Sequence, residues 1–188
     1  MIHRLLLFLT ALGLLLYGCA SHKTWEELEA EYGPNSPEIT KYGAVDRLRL
    51  GDVWKVYVAA EDLDGDMDVI EFDLHQPGQG WYTSHRRRLQ GEESKAFSGY
   101  FFLNTPRRVW SLRYLTLTLK FEIRDKGGHK SEVINLPLTL VGHTVEQPIP
   151  AGFTEEENRP LGPILIQLYN EDESEGRRRG GVGVGVGW

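Results

Sequence analysis

Carboxylates stand at every second position of the segment 62–68, and this spacing is the pattern in the chain that most suggests binding chemistry. Alternate carboxylates can converge on a hard cation such as Ca²⁺, which takes about six to eight oxygen ligands. The segment is not an EF-hand loop, because Gly65 is its fourth residue rather than its sixth. An ordinary polar turn, for which Asp and Gly are typical, is the alternative. The candidate calcium ligands are Asp62, Asp64, Asp66 and Asp68.

Two basic clusters and a set of aromatic residues lie near predicted loops. Positive charge attracts anionic envelope material such as phosphorylated glycolipid or teichoic acid. Exposed aromatic side chains beside it would form a sugar-binding or protein-binding surface. Solvated loops with aromatic residues in the core are the alternative. The basic clusters are Arg86-Arg87-Arg88 and Arg107-Arg108, and the aromatic residues are Trp81, Tyr82, Tyr100, Phe101, Phe102 and Trp110.

Motifs for catalysis are missing from the sequence. The histidines show no metal-ligand spacing such as His-x-x-x-His, and no Gly-x-Ser-x-Gly elbow is present. Ser84 and His85 are neighbours, and neighbours on a strand face opposite sides of the sheet. We therefore expect a protein that is not an enzyme, with no catalytic residues and no required cofactor, and with calcium as the candidate ion.

The N-terminus has the pattern of a secretory signal. A short positive stretch that ends at Arg4 precedes an apolar run from Leu5 to Tyr17, followed by Gly18 and Cys19. This run is shorter than the about 20 apolar residues that a spanning helix needs. A positive stretch, a short apolar run and then small residues are typical of an export signal.

The residues Leu16-Tyr17-Gly18-Cys19 resemble the lipobox of bacterial lipoproteins, although Tyr17 departs from the usual Ala or Ser. The resemblance implies cleavage before Cys19 and attachment of lipid, with acyl chains such as palmitate, to its thiol. Ala20 stands where an aspartate often signals retention in the inner membrane, which favours the outer membrane if the source has two membranes. A plain secretory signal or an uncleaved anchor is the alternative.

The composition restricts the mature protein to a single domain with tails. Removal of residues 1–18 leaves 170 residues, with 20 basic and 27 acidic side chains. This net negative charge argues against nucleic acid as a partner. Because Cys19 is the sole cysteine, no internal disulfide can form and an apolar core must hold the fold.

Residues 19–46 are predicted to form a tether with a short helix. Thr24 and Glu27 fit a capping box, and Gly33 and Pro34 should end the helix after Tyr32. We expect this helix to dock on the domain, with a separate partner-binding helix as the alternative.

Residues 47–142 are predicted to form an antiparallel sandwich of about seven strands. Apolar and polar residues alternate along several runs, which is typical of half-buried strands, and turn residues separate the runs. Pro137 cannot donate to a ladder, so we expect its strand at a sheet edge. The inward rows are Trp54, Val56 and Val58; Ile70, Phe72 and Leu74; Leu115, Leu117, Leu119, Phe121 and Ile123; and Ile134, Leu136, Leu138 and Leu140.

Two loops of this domain resemble those of bacterial immunoglobulin-like or fibronectin-like modules. They are the Asp-x-Asp-Gly-Asp segment that begins at Asp62 and the Arg-Asp-Lys-Gly-Gly segment that begins at Arg124. The resemblance implies an all-β fold, an immunoglobulin-like β-sandwich. It does not settle the function.

The C-terminal part is predicted to lack a core of its own. Residues 143–169 are rich in proline and form an extended strap, with Ile164 to Tyr169 as a candidate extra strand. Residues 170–188 contain acidic, arginine and Gly-Val stretches and are predicted to be disordered.

These features together favour a lipid-anchored protein of the cell envelope that acts as a non-enzymatic binding or scaffold module. The expected partners are the membrane, through the N-terminal lipid, and an envelope protein or surface polymer, but not nucleic acid. The alternative function is a surface lipoprotein that binds calcium or carbohydrate.

Overall fold

The computed structural model describes residues 23–78, 80–107 and 116–168. Several sequence predictions lie outside these residues. They are the signal segment 1–18, the lipobox with Cys19, the residues Arg108, Trp110 and Leu115, and the tail 170–188. Within the described residues, no helix has the length and apolar character needed to cross a membrane.

Helix α1 spans Trp25–Tyr32, as predicted. The Thr24 hydroxyl accepts a hydrogen bond from the Glu27 backbone N–H, and the Glu27 carboxylate accepts one from the Thr24 backbone N–H. This capping box satisfies two donors that a helix start leaves free. Gly33, with φ of 98°, ends the helix, and no side chain of α1 is fully buried.

Ten strands follow in the described part of the chain. They are β1 (Glu38–Gly43), β2 (Arg47–Arg49), β3 (Val53–Glu61), β4 (Met67–Gln76), β5 (Gly80–Trp81), β6 (His85–Arg88), β7 (Ala96–Asn104), β8 (Thr116–Asp125), β9 (Ile134–Val141) and β10 (Pro160–Pro163).

The strands form two sheets. One has the order β1-β3-β7-β10, and the other has the order β2-β9-β8-β4-β5, with β6 also paired to β4. Along the chain, the strands change sheet after β1, β2, β3, β6, β7 and β9. This arrangement is an immunoglobulin-like sandwich, so the predicted fold class is confirmed.

The core lies between the inner faces of the two sheets. The rows predicted from sequence alternation point inward in every strand that the structure describes. Phe72 of β4 meets Phe101 of β7 edge to face, with ring centroids 5.0 Å apart, and this contact joins the two sheets. Trp54 is fully buried, and its indole N–H donates to the Val45 carbonyl oxygen at 2.8 Å.

The structure differs from the predicted strands in several places. Strand β1 lies inside the predicted tether and pairs with β3 over its whole length. Two short strands, β5 and β6, follow β4 and both pair with it. Pro137 pairs with β8, and β2 covers the other side of β9 only at residues 139–141. The prediction of an edge strand was wrong, because β9 lies between β2 and β8, but β2 is short and leaves Pro137 without a strand partner on that side.

The extra strand near the C-terminus lies earlier than predicted. β10 comprises Pro160–Pro163 and pairs parallel to β7, whereas residues 164–168 form no strand. Ile164, Ile166 and Leu168 are nevertheless buried and Leu165 is exposed. The alternation that predicted a strand therefore reflects burial of an extended segment that has no strand pairing of its own.

The strap crosses the outer face of the sheet that contains β3. The Phe153 ring lies 5.3 Å from the Tyr57 ring, and the Tyr57 hydroxyl donates to the Asn158 side-chain oxygen at 2.7 Å. The Glu157 carboxylate accepts hydrogen bonds from Lys41 Nζ and Ser98 Oγ, each at 2.6 Å. Tyr57 is only 2 % exposed, although it points away from the core. The strap thus adds a second packed layer on this face.

Glu157 should hold the strap in place by its charge. Hydrogen bonds from Lys41, Ser98 and the Thr154 backbone N–H lower its pKa from 4.5 to about 2. The charged Glu157 carboxylate therefore stabilises the folded strap fully at a pH above its ordinary pKa. This stabilisation is lost as the pH falls towards about 2. We expect Glu157→Gln to speed amide hydrogen exchange in residues 150–159 near neutral pH, and the difference from the wild type to shrink in acid. Glu155→Gln, an exposed neighbour, is the control and should exchange like the wild type. Equal exchange in Glu157→Gln at neutral pH would contradict the assignment.

Candidate functional site

The β3–β4 loop brings three of the four predicted calcium ligands together. One carboxylate oxygen from each of Asp62, Asp64 and Asp66 lies within 4.8 Å of the other two. Asp62 Oδ1 accepts hydrogen bonds from the backbone N–H groups of Asp64 at 2.8 Å and Gly65 at 3.1 Å. Gly65 has φ of 74°, a conformation that glycine adopts without strain. This turn folds the loop so that the carboxylates meet.

Asp66 also contacts the β8–β9 loop. Its Oδ2 accepts hydrogen bonds from the backbone N–H groups of Lys126 at 3.2 Å and Gly127 at 3.3 Å. Burial raises the pKa of the Asp66 carboxyl, and the charges of Asp125 and Asp62 raise it further, while these two backbone donors lower it. Several carboxylates therefore lie close together in a partly desolvated environment.

Two oxygens of the cluster are buried without a hydrogen-bond donor. Within the described residues, neither Asp62 Oδ2 nor Asp66 Oδ1 has a partner. The two residues are only 8 % and 6 % exposed. Burial of a carboxylate oxygen without a hydrogen-bond donor or a cation costs free energy of folding. A bound cation would remove this cost.

Asp64 connects the cluster to the segment between α1 and β1. Its carboxylate accepts hydrogen bonds from the Asn35 backbone N–H at 2.7 Å and from Asn35 Nδ2 at 2.8 Å. A Cβ atom on Gly33 would lie 2.2 Å from Asp64 Cγ, so only glycine fits at that position. The end of α1 is therefore packed directly against the acidic loop.

His129 of the β8–β9 loop contacts two residues of α1. Its Nδ1 lies 3.0 Å from Asp125 Oδ2, its Nε2 lies 3.6 Å from Glu29 Oε1, and its ring meets the Trp25 ring edge to face at 4.9 Å. Burial lowers the pKa of His129, but the carboxylates of Asp125 and Glu29 outweigh it, so the pKa is raised above 6.5. The predicted docking of the helix on the domain therefore rests on Trp25, Glu29 and Asn35. A role for His129 was not predicted from the sequence, because one of its two carboxylate partners, Glu29, lies 100 residues away along the chain, and the nearby Asp125 matches no recognised motif.

Asp68, the fourth predicted ligand, lies apart from the cluster. It belongs to β4, and its carboxylate faces Arg88 Nη1 at 3.9 Å. β4 begins at Met67, so Asp68 belongs to the strand rather than to the loop, and its carboxylate faces β6 instead of the cluster.

The arginines 86–88 are engaged with carboxylates. Arg86 pairs with Glu71 at 2.9 Å, Arg87 pairs with Glu93 at 2.8 Å, and Arg88 faces Asp68. The Arg87 guanidinium also lies 5.5 Å from the centroid of the Phe101 ring. These pairs reduce the positive charge available to an anionic polymer on this strand.

The predicted aromatic group does not form one surface. Phe101 is in the core, and Tyr100 packs on Tyr57 with ring centroids 5.4 Å apart. Trp81 is 61 % exposed and lies 5.0 Å from the His75 ring at the other end of the sandwich from α1. Tyr82 is half-buried and hydrogen-bonded to Gln76. Trp81 is thus the member of the group that is most available to a partner among the described residues.

Comparisons with known proteins give weak likenesses in structure alone. No protein-family model and no curated protein sequence matches the chain. Among solved structures, the PKD domain of an M14-like peptidase from a Thermoplasmatales archaeon is 13 % identical, with a TM-score of 0.38 over 57 % of this chain and 98 % of that one. A CARDB domain from Pyrococcus furiosus, solved with di-metal ions, is 10 % identical, with a TM-score of 0.31 over 57 % and 88 %. These values are too low to support an argument about ligand or activity.

The docking of α1 should depend on the charge of His129. Because its folded pKa is raised, charged His129 stabilises the docked helix at acidic pH, and this stabilisation is lost as the pH rises through the raised pKa. An NMR titration of the imidazole should give a pKa above 6.5, and Glu29→Gln should lower it. Glu26→Gln, on the same helix, should leave it unchanged. A His129 pKa at or below 6.5 in the wild type would contradict the prediction that charged His129 stabilises the docked helix.

Proposed function

We propose that the protein is a lipid-anchored, non-enzymatic binding or scaffold module of the bacterial cell envelope. Its N-terminal lipid, on Cys19, holds it at a membrane, the outer one where the source has two. The immunoglobulin-like sandwich presents loops to another envelope protein. The proposal is supported by the position at which the tether meets the sandwich.

The sandwich has two distinct ends. Helix α1, the β3–β4 loop and the β8–β9 loop lie at one end, which we call the tether end. β3 begins at the opposite end, where Val53 pairs with Asn104, and β4 finishes there at Gln76. We call this opposite end the distal end. A lipid on Cys19 would attach a few residues before α1, so the distal end would point away from the membrane.

The titratable side chains of the described part are mostly used in structural contacts, which supports a module without catalysis. Glu157 pairs with Lys41, His129 with Asp125, and Lys120 with Asp73 at 3.3 Å. Each pair joins strands or fixes a loop or the strap. Such pairs are typical of a scaffold whose charges hold its own elements together.

The distal end offers a surface suited to a protein partner. Trp81 is exposed there beside His75, and Val53, at the same end of the other sheet, is 41 % exposed. Tryptophan is among the residues that most often dominate protein interfaces. A surface polymer is the alternative partner, and affinity purification distinguishes it from a protein.

Lipid attachment can be tested at Cys19. Cells grown with a clickable palmitate analogue should label the full-length protein, and Cys19→Ser should lose the label and leave the membrane fraction. Ser21→Ala, two residues later, is the control and should remain labelled and membrane-bound. A wild-type protein without label, or a Cys19→Ser protein that stays membrane-bound, would overturn the anchor.

The partner surface can be tested at Trp81. In-cell cross-linking and affinity purification of the wild type should recover an envelope protein. We expect Trp81→Ala to weaken that association by about 2 kcal/mol, or roughly 30-fold, as loss of an interface tryptophan typically does. Tyr42→Ala is a matched control, because Tyr42 is an exposed aromatic residue on β1, away from the distal end. Recovery of a polysaccharide instead of a protein would replace the proposed partner, and equal recovery with Trp81→Ala would exclude this surface.

A further inference from the structure

The acidic loop at the tether end has the features of a built cation site. Asp62, Asp64 and Asp66 bring three carboxylate oxygens within 4.8 Å of one another, although two of the residues are more than nine-tenths buried. Like charges at this distance repel, and burial strengthens the repulsion. No ion pair among the described residues involves any of the three carboxylates.

Two buried oxygens of the cluster that lack a hydrogen-bond donor are a second observation that points to a ligand. Asp62 and Asp66 each use one oxygen to accept two backbone N–H groups, which fixes the orientation of the carboxylate. The second oxygen of each, Asp62 Oδ2 and Asp66 Oδ1, is buried and has no donor in the described chain. A polar turn needs only the first set of bonds. The second pair of oxygens is accounted for if a positive ion lies against them.

The spacing and the type of the ligand atoms are compatible with a single Ca²⁺ ion. Oxygens bound to one Ca²⁺ at about 2.3–2.6 Å can be at most roughly 5 Å apart, which accommodates the cluster as it stands. Mg²⁺ usually keeps several of its waters and is seldom held by protein carboxylates alone. A set of oxygens without sulfur also suits a hard cation.

We propose that Asp62, Asp64 and Asp66 bind a single Ca²⁺ ion, and that the ion fixes the tether to the sandwich. The effect on the tether follows from Asp64, whose carboxylate accepts both hydrogen bonds from Asn35 and is in close contact with Gly33. An ion that holds Asp64 in place also holds the segment 33–35, which leads from α1 into β1. The cation binding itself is independent of the lipid and of any partner.

Binding can be measured on the full-length protein in detergent, after treatment with a chelator and removal of the chelator. We expect calorimetry with CaCl₂ to give one ion per chain, with a dissociation constant at or below about 1 mM, the range of extracellular calcium modules. Thermal stability should rise with CaCl₂, by more than with equal MgCl₂. No binding by calorimetry and no thermal shift at several millimolar CaCl₂ would overturn the site, and tighter binding of MgCl₂ would overturn its assignment to calcium.

Substitutions separate the site from general negative charge. Asp66→Asn keeps an oxygen for the backbone donors but removes the charge, and it should weaken calcium binding by at least roughly tenfold. Asp68→Asn is the matched control, because Asp68 lies two residues away and outside the cluster, and it should bind like the wild type. Asp64→Asn, at an exposed position, gives a second test if Asp66→Asn does not fold. Equal affinity in all these variants would overturn the site.

The effect on the tether has its own measurement. We expect CaCl₂ to slow amide hydrogen exchange in residues 25–36 of the wild type and to leave it unchanged in Asp64→Asn. Binding without a change in these amides would overturn the link to the tether. Lipid labelling at Cys19 does not depend on calcium, so failure of the cation site and failure of the lipid-anchor proposal are distinguishable.

Discussion

The packing of two apolar sheet faces against each other holds this protein together. With Cys19 as its sole cysteine, the chain cannot form an internal disulfide, so the free energy of folding comes mainly from burial of side chains such as Trp54, Phe72 and Phe101. Each fully buried large apolar side chain contributes about 1.5–3 kcal/mol. The strict alternation of residues along the strands follows from this requirement, because a shift of one residue would move a whole row into solvent.

The same packing decides where polar chemistry can lie. The two sheets exclude water between them, so charged groups are pushed to the ends of the sandwich, to the outer faces or beneath added segments. The strap on the outer face buries Tyr57 and surrounds the Glu157 carboxylate with donors. At the tether end, the crossing from β3 to β4 carries three carboxylates into the junction with the β8–β9 loop. The burial of Asp62 and Asp66 is thus a consequence of how the chain passes from one sheet to the other.

Local pattern predicted the elements well and the contacts between them poorly. Alternation located the main strands, and the capping residues Thr24 and Glu27 located α1. Strand β1 was missed because its sequence, Glu-Ile-Thr-Lys-Tyr-Gly, carries only one buried apolar side chain, Ile39. Even spacing placed Asp68 with the other three carboxylates, but β4 begins at Met67 and directs the Asp68 carboxylate towards Arg88 of β6. His129 was missed because its contacts with Glu29 and Trp25 form only through tertiary structure, although Asp125 is four residues away.

Helix α1 is the element whose order depends most on the site. A helix of eight residues is marginal alone, since isolated helices need about 12–15 residues to be stable in water. None of its side chains is fully buried. The helix is attached to the sandwich by the packing of Trp25 against the His129 ring and, just after the helix, by the hydrogen bond that Asn35 donates to Asp64. Any change in charge at Asp64 or His129 therefore acts on the tether before it acts on the core. In a lipid-anchored protein, those two residues would control how firmly the domain is held relative to the membrane.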